Sequence, residues 1–212
     1  MGVLVDQAVE DRSSADLQGV EIGPDAAVRI DAFVFNPEES SSHKALNVTR
    51  GVFRYVSAYV HIPYPGGDVP ADTGVCTDEV IRSYRAVGVD LQKEVHEDML
   101  QNFAAYPNKR RWLLGHPDAN IDHRRVPNLM VFFQRKGEAL PITSRAEDFA
   151  PGDLVTWDLG GNVPHIGIVV DQKTPWSGRY LVVHNIGEGP KMEDVLFSWK
   201  ITGHYRYFGP GL

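Results

Sequence analysis

Cysteine is almost absent: Cys76 is the only one among 212 residues. No internal disulfide can form, so a folded domain must be held by its core. An excess of basic charge is also missing. With 21 Lys and Arg against 28 Asp and Glu, the net charge is −7. That balance argues against nucleic acid or an anionic membrane as the main partner. No apolar run approaches the ~20 residues of a spanning helix, so no membrane span is expected. The opening "MGVLVDQAVEDRSS" lacks the basic start and apolar stretch of a signal peptide. No internal repeat is present, and no linker splits the chain beyond its first 42 residues.

What is present is ordinary for a globular domain: 42% hydrophobic and 23% charged residues. The length suits one domain with a real core. Residues 1–42 are polar, end in "NPEESSS", and carry one strand-like patch, Val28 to Phe35. They are expected to be an N-terminal extension. The domain is expected over residues 43–212.

Residues 72–90, "DTGVCTDEVIRSYRAVGVD", predict a helix, with Asp72 or Thr73 as its cap and Gly88 as its stop. Cys76, Val80, Tyr84 and Val87 fall on one face, which puts the cysteine in the first turn of a core-facing helix. A second helix is predicted over "LQKEVHEDMLQNFAAYP", with Leu91, Val95, Met99 and Phe103 as its stripe and Pro107 as its end. A third runs from Pro127 to Gly137. Beyond residue 150 the pattern turns extended. "PGDLVTWDL", "HIGIVVD", "RYLVVHNI" and "GHYRYF" are short, β-branched or aromatic, and separated by turn residues. Helices followed by consecutive strands predict an α+β fold, a helical half packed on a small antiparallel sheet.

Lone cysteines are commonly core fillers. A thiol at a helix N-terminus, however, feels the positive end of the dipole, which predicts a lowered pKa and a reactive, partly accessible side chain. A nucleophile also needs a base. His165 opens "HIGIVVD" and His184 follows "RYLVV", and the short "QKTPWSG" between these strands predicts an antiparallel return. Paired that way, the two imidazoles meet at one end of the sheet. Cysteine, base and orienting group then make a nucleophilic triad. Asn185 competes with His184 for the third place, because strand alternation lets only one of them face His165. Cys and His also suit zinc, but a second Cys or a close His pair is missing, so a metal site is not expected.

Helix-borne Cys, then "PGDLV", then "HIGIV", then a strand ending in His resembles the NlpC-type branch of papain-like cysteine peptidases. The resemblance implies Cys76 as nucleophile, His165 as base and His184 as orienting residue. "IPYPGGDVPADTGVCTD" is similar to that branch's segment before the Cys, which implies Tyr64 near the oxyanion. A closer resemblance is to the bacterial family catalogued as domain of unknown function 1287. It is carried by "YPGGDVP", "GVCTDEVIRSYRAVGVDLQKEVHEDM", "NIDHRRVPNL", "PGDLVTW", "PHIGIVVD" and "VVHNIGEGPKMEDVLF". The chain departs from the NlpC-type pattern in having Thr-Asp after the Cys and a helical insertion between Cys and His. Together the resemblances imply a papain-like hydrolase that cuts an amide bond of peptidoglycan peptide in the periplasm or cell envelope, without a cofactor. Two alternatives follow: an interbacterial toxin restrained by an immunity protein, and a non-catalytic module that binds wall peptides.

"NIDHRRVP" groups Asp122, His123, Arg124 and Arg125 before a helix. Arg124 or Arg125 is expected to border the cleft and pair with a substrate carboxylate. The alternative is a capping and salt-bridge cluster, with Asp78 as a partner for one of the arginines.

Overall fold

A computed structural model describes residues 54–187 and 189–210. The polar extension of residues 1–42, with its strand-like patch, lies outside the described residues. Among the described residues two short strands come first, β1 (Arg54–Tyr55) and β2 (Thr73–Gly74), which pair in parallel with Tyr55 opposite Gly74. Four helices follow: α1 (Cys76–Ala86), α2 (Leu91–Asn102), the short α3 (Asn108–Trp112) and α4 (Val126–Lys136). The remainder is an antiparallel sheet of β3 (Glu138–Ala139), β4 (Leu154–Asp158), β5 (Pro164–Lys173), β6 (Tyr180–Asn185), β7 (Pro190–Glu193) and β8 (Lys200–Arg206). Their spatial order is β3-β8-β4-β5-β6-β7. The α+β reading holds at this level.

Helix α1 starts later than its capping residues suggested. Thr73 and Gly74 are taken up by pairing with β1, so neither Asp72 nor Thr73 caps the helix. Asp78 does so from inside, its Oδ2 accepting from the Val75 N–H at 2.8 Å. The far end follows the pattern. Gly88 has φ +86, and the N–H of Val89 reaches back to the Tyr84 carbonyl, as in a glycine-terminated helix. In α2 the Asp90 side chain accepts from the N–H groups of Gln92 and Lys93. The α-helix stops at Asn102, short of the expected Pro107, and tightens into a 3₁₀ turn over Phe103–Ala105. Pro127 sits in the first turn of α4, as anticipated.

Each sheet face packs on its own core. Leu154, Ile166 and Ile168 meet the helical half through Val80, Tyr84, Leu129 and Phe133. Val155, Trp157, Val169 and Val182 pack on the other side with Phe149 and Leu196. A strand sends successive side chains to opposite faces, so Ile166 turns to the helical half and His165 to the side of Trp157. Asp153 of "PGDLV" is fully buried, and its carboxylate accepts from His204 Nε2 at 2.8 Å and Arg206 Nε at 2.8 Å. The motif's aspartate thus clamps the start of β4 to β8.

Candidate active site

Cys76 occupies the first position of α1, beside the end of β5 where the β5–β6 ladder begins with the pair Gly167 and His184. The backbone N–H groups of Thr77 and Ile166 point at its Sγ, as does the Tyr55 hydroxyl. Ile166 directly follows His165, so the thiol is within hydrogen-bond reach of the peptide next to the candidate base. The Tyr55 hydroxyl also lies against the backbone N–H of Cys76. That N–H belongs to the first turn, where no helical carbonyl can accept it. Tyr55 reaches this place because β1 runs beside β2, two residues before the cysteine.

Strands β5 and β6 are neighbours and antiparallel, as the short connection predicted. They bring His165 Nε2 to 3.0 Å from His184 Nδ1. Asn185 points elsewhere, its Oδ1 accepting from the Gly187 N–H, so of the two it is His184 that meets His165. Gly167 makes the pairing sterically possible. A Cβ there would lie 2.7 Å from Val182 Cγ1 and 3.2 Å from His184 Cβ. The histidine pair is walled by Trp157 and Trp199, whose rings lie 5.9 Å and 6.0 Å from that of His165. Trp157 is held in turn by its Nε1–H donating to the Leu196 carbonyl. On the other side of His184, Nε2 meets Glu193 Oε2 at 3.1 Å.

Burial overrides the dipole at the thiol. Cys76 is only 4% exposed, and desolvation pushes its pKa up to about 11, although three hydrogen bonds favour the thiolate. The expected low pKa and partial accessibility are therefore corrected: the resting side chain is a buried neutral thiol. His165 moves the opposite way, down to about 3, through burial and the neighbouring His184. His184 is lowered by burial, against the pull of Glu193. At neutral pH both partners are uncharged.

The other candidates take structural places. Tyr64 is not at the thiol; its exposed ring packs edge-on against His96 of α2. Tyr55 stands where Tyr64 was expected. Arg124 is buried and spends its guanidinium internally. It donates to Asp78 at 2.7 and 2.9 Å and to the carbonyls of Ala58 and Val56 at 3.1 Å each. Arg125 pairs with Asp122 at 3.0 Å and lies over the Trp112 ring at 4.4 Å. Asp122 also accepts from Asn108 and from the Asp118 N–H. "NIDHRRVP" is thus a salt-bridge cluster in which the Arg124 guanidinium is wholly engaged and Arg125 is tied through Nη1 to Asp122. Among the described residues, no three His, Cys, Asp or Glu side chains group as a metal site, and no helix is long and apolar enough to cross a membrane.

The model of a family described as a domain of unknown function, DUF1287, matches residues 42–207. The chain belongs to this family. It is also 54% identical over 154 residues to the uncharacterized protein YijF of Escherichia coli (strain K12), covering 73% of this chain and 74% of that protein. The DUF1287 match takes in the thiol, both histidines, Tyr55 and Glu193. Sequence reasoning missed Tyr55, Trp157, Trp199 and Glu193, because nothing local ties them to the cysteine.

Burial of these groups gives the DUF1287 domain a defined pH response. His165 and His123 are both held down at about 3. Below their ordinary ~6.5 the unfolded chain takes up protons that the folded one refuses, so stability falls as pH drops from there towards 3. Glu79, pushed up to about 7, keeps its proton when folded and lowers stability as pH rises from 4.5 to 7. Two histidines outweigh one carboxyl where the windows overlap. Cys76 adds a loss between pH 9 and about 11, where only the unfolded chain ionises. Denaturant midpoints from pH 4 to 11 should therefore peak near neutrality. A midpoint that keeps climbing below pH 6 would contradict this account.

Proposed function

We propose that this DUF1287 protein is a papain-like cysteine hydrolase of the NlpC type, cleaving an amide bond in peptidoglycan peptide. The observation that carries the reading is the 3.0 Å His165–His184 pair on the strand whose next peptide N–H, that of Ile166, points at the Cys76 thiol at a helix N-terminus. His165 Nε2 is committed to His184, which leaves Nδ1 as the nitrogen for the thiol proton. Because thiol and imidazole rest uncharged, deprotonation accompanies attack instead of preceding it. As Sγ bonds to the substrate carbonyl carbon, its proton passes to His165. The carbonyl oxygen, now negative, is held by the Cys76 N–H and the Tyr55 hydroxyl. His165 then protonates the departing amine, and water releases the acyl group from sulfur. These steps need no cofactor.

A candidate peptide groove lies at the start of β5, lined by neither Cys76, Tyr55, His165 nor His184. A groove of ≈ 380 Å³ opens between α4 and the sheet, lined by Met130, Val131, Asp158, Asn162 and Pro164, the last adjoining His165. A wall-peptide substrate would place the working protein in the periplasm or cell envelope. The test is mass spectrometry of muropeptides after incubation with wild-type and Cys76→Ala protein. Wild type should add one water across an amide bond and the variant should not. No cleavage by wild type, or equal cleavage by both, overturns the proposal.

Tyr55 supplies a second, finer test. Loss of one oxyanion donor typically lowers kcat by about 10²–10³-fold. Tyr55→Phe should show a loss of this size with little change in KM, whereas Tyr64→Phe should leave both near wild type. The reverse ranking would return the oxyanion role to Tyr64.

A further inference from the structure

We infer that Glu193 is a positioning residue that sets the tautomers of both histidines, and so decides which nitrogen of His165 is bare. Only the use of that nitrogen, to receive the Cys76 proton, rests on the hydrolase reading above.

A carboxylate can only accept, so the 3.1 Å contact of Glu193 Oε2 with His184 Nε2 places a hydrogen on that nitrogen. A neutral imidazole carries one such hydrogen, which leaves His184 Nδ1 as an acceptor. The 3.0 Å contact between His184 Nδ1 and His165 Nε2 must then be donated by His165. His165 Nδ1 is left with a lone pair. One carboxylate two residues away in the network thus orders both rings.

The neutral state is the one the surroundings favour, since both imidazoles are buried at 1% exposure and burial disfavours their charged forms. The charged and titratable groups facing His184 are His165 from β5 and Glu193 and Lys191 from β7, with Lys191 directly opposite in the ladder. Were His184 to gain a proton, its Nδ1–H would donate to His165 Nε2. The hydrogen of His165 would then move to Nδ1 and the base would be lost. A single protonation at His184 is enough to switch His165 off.

Glu193 lies on β7, the outermost strand, and its side chain is 44% exposed. It reaches the reacting atoms only through His184, so its substitution is compatible with folding.

Ring-¹⁵N histidine labelling and long-range ¹⁵N–¹H correlation read the protonation of each nitrogen in the resting protein. At neutral pH, wild type should show Nε2–H on both His184 and His165. Glu193→Ala should mix the tautomers and lower kcat on muropeptide by about tenfold, the smaller end of what outer orienting partners contribute, with an unchanged thermal midpoint. Glu193→Gln, whose amide oxygen still accepts, should keep the tautomers and most of the rate. Its acid limb in kcat/KM should move to lower pH, because removing the carboxylate charge makes His184 harder to protonate. An Nδ1–H on His184 in wild type, or wild-type tautomers in Glu193→Ala, would overturn the inference. The nitrogen spectra need no substrate, so they decide the role of Glu193 even if muropeptides are not cleaved; that failure would fall on the hydrolase reading alone.

Discussion

Alanine at Cys76 or at His165 is expected to lower kcat on muropeptide by on the order of 10⁴-fold or more, and the double variant no further. The two side chains serve one proton transfer and one bond-forming step. Removing either leaves the other without a task. What survives is the Cys76 N–H, the Tyr55 hydroxyl and the groove, which still bind substrate but supply no nucleophile. KM should therefore change much less than kcat. Because burial keeps the resting thiol neutral, His165→Ala should also slow alkylation of Cys76 by iodoacetamide at neutral pH. Losses that add on a logarithmic scale in the double variant would mean that the residues act independently, and the proposed mechanism would fail. His184→Ala should fall between these extremes, since it removes the partner of the base and leaves the base itself.

Arg124→Ala should unfold the protein more readily by about 3–5 kcal/mol. For a chain of this size, this corresponds to a thermal midpoint lower by roughly 6–20 °C. The substitution leaves the Asp78 carboxylate buried without its cation, because the Asp78–Arg124 pair is almost wholly shielded, at 3% and 2% side-chain exposure. It also removes the donors that hold the carbonyls of Val56 and Ala58. Those carbonyls belong to the segment that follows Tyr55, so activity should fall along with stability. The fall should be equal on amidated and free-carboxylate muropeptides. Selective loss on the free carboxylate with an unchanged midpoint would restore the substrate-binding role first expected for this loop. Arg125→Ala should act in the same direction but more weakly, its ion pair with Asp122 being partly exposed.

These two outcomes separate what local pattern could and could not reveal. The face formed by Cys76, Val80 and Tyr84 was legible because helical spacing alone puts those residues on one side. The return of β6 beside β5 was legible because few residues separate two β-rich runs. Both histidines could therefore be named, and their pairing follows from adjacency plus alternation. The shorter α2 and the late start of α1 were not legible. At α1 a tertiary contact took residues that local propensity gives to the helix, since Thr73 and Gly74 pair with β1, while α2 tightens into a 3₁₀ turn at Phe103–Ala105.

The pattern of apolar residues, glycine stops and turn residues thus carried the α+β fold, the place of Cys76 in the first turn of α1 and the pairing of His165 with His184, since these depend on contacts within a helix turn or one hairpin. The surroundings of those residues depend on contacts across the chain, between segments that nothing local relates. Tyr55 meets the thiol through a strand whose residues pair with β2 across 19 positions, Arg124 meets Asp78 across 46 residues, and Trp199 closes on His165 from a later loop. Burial follows from all of these at once. It is burial that turns the thiol expected to ionise easily into a neutral one, because the loss of water around sulfur outweighs the helix dipole and three hydrogen bonds.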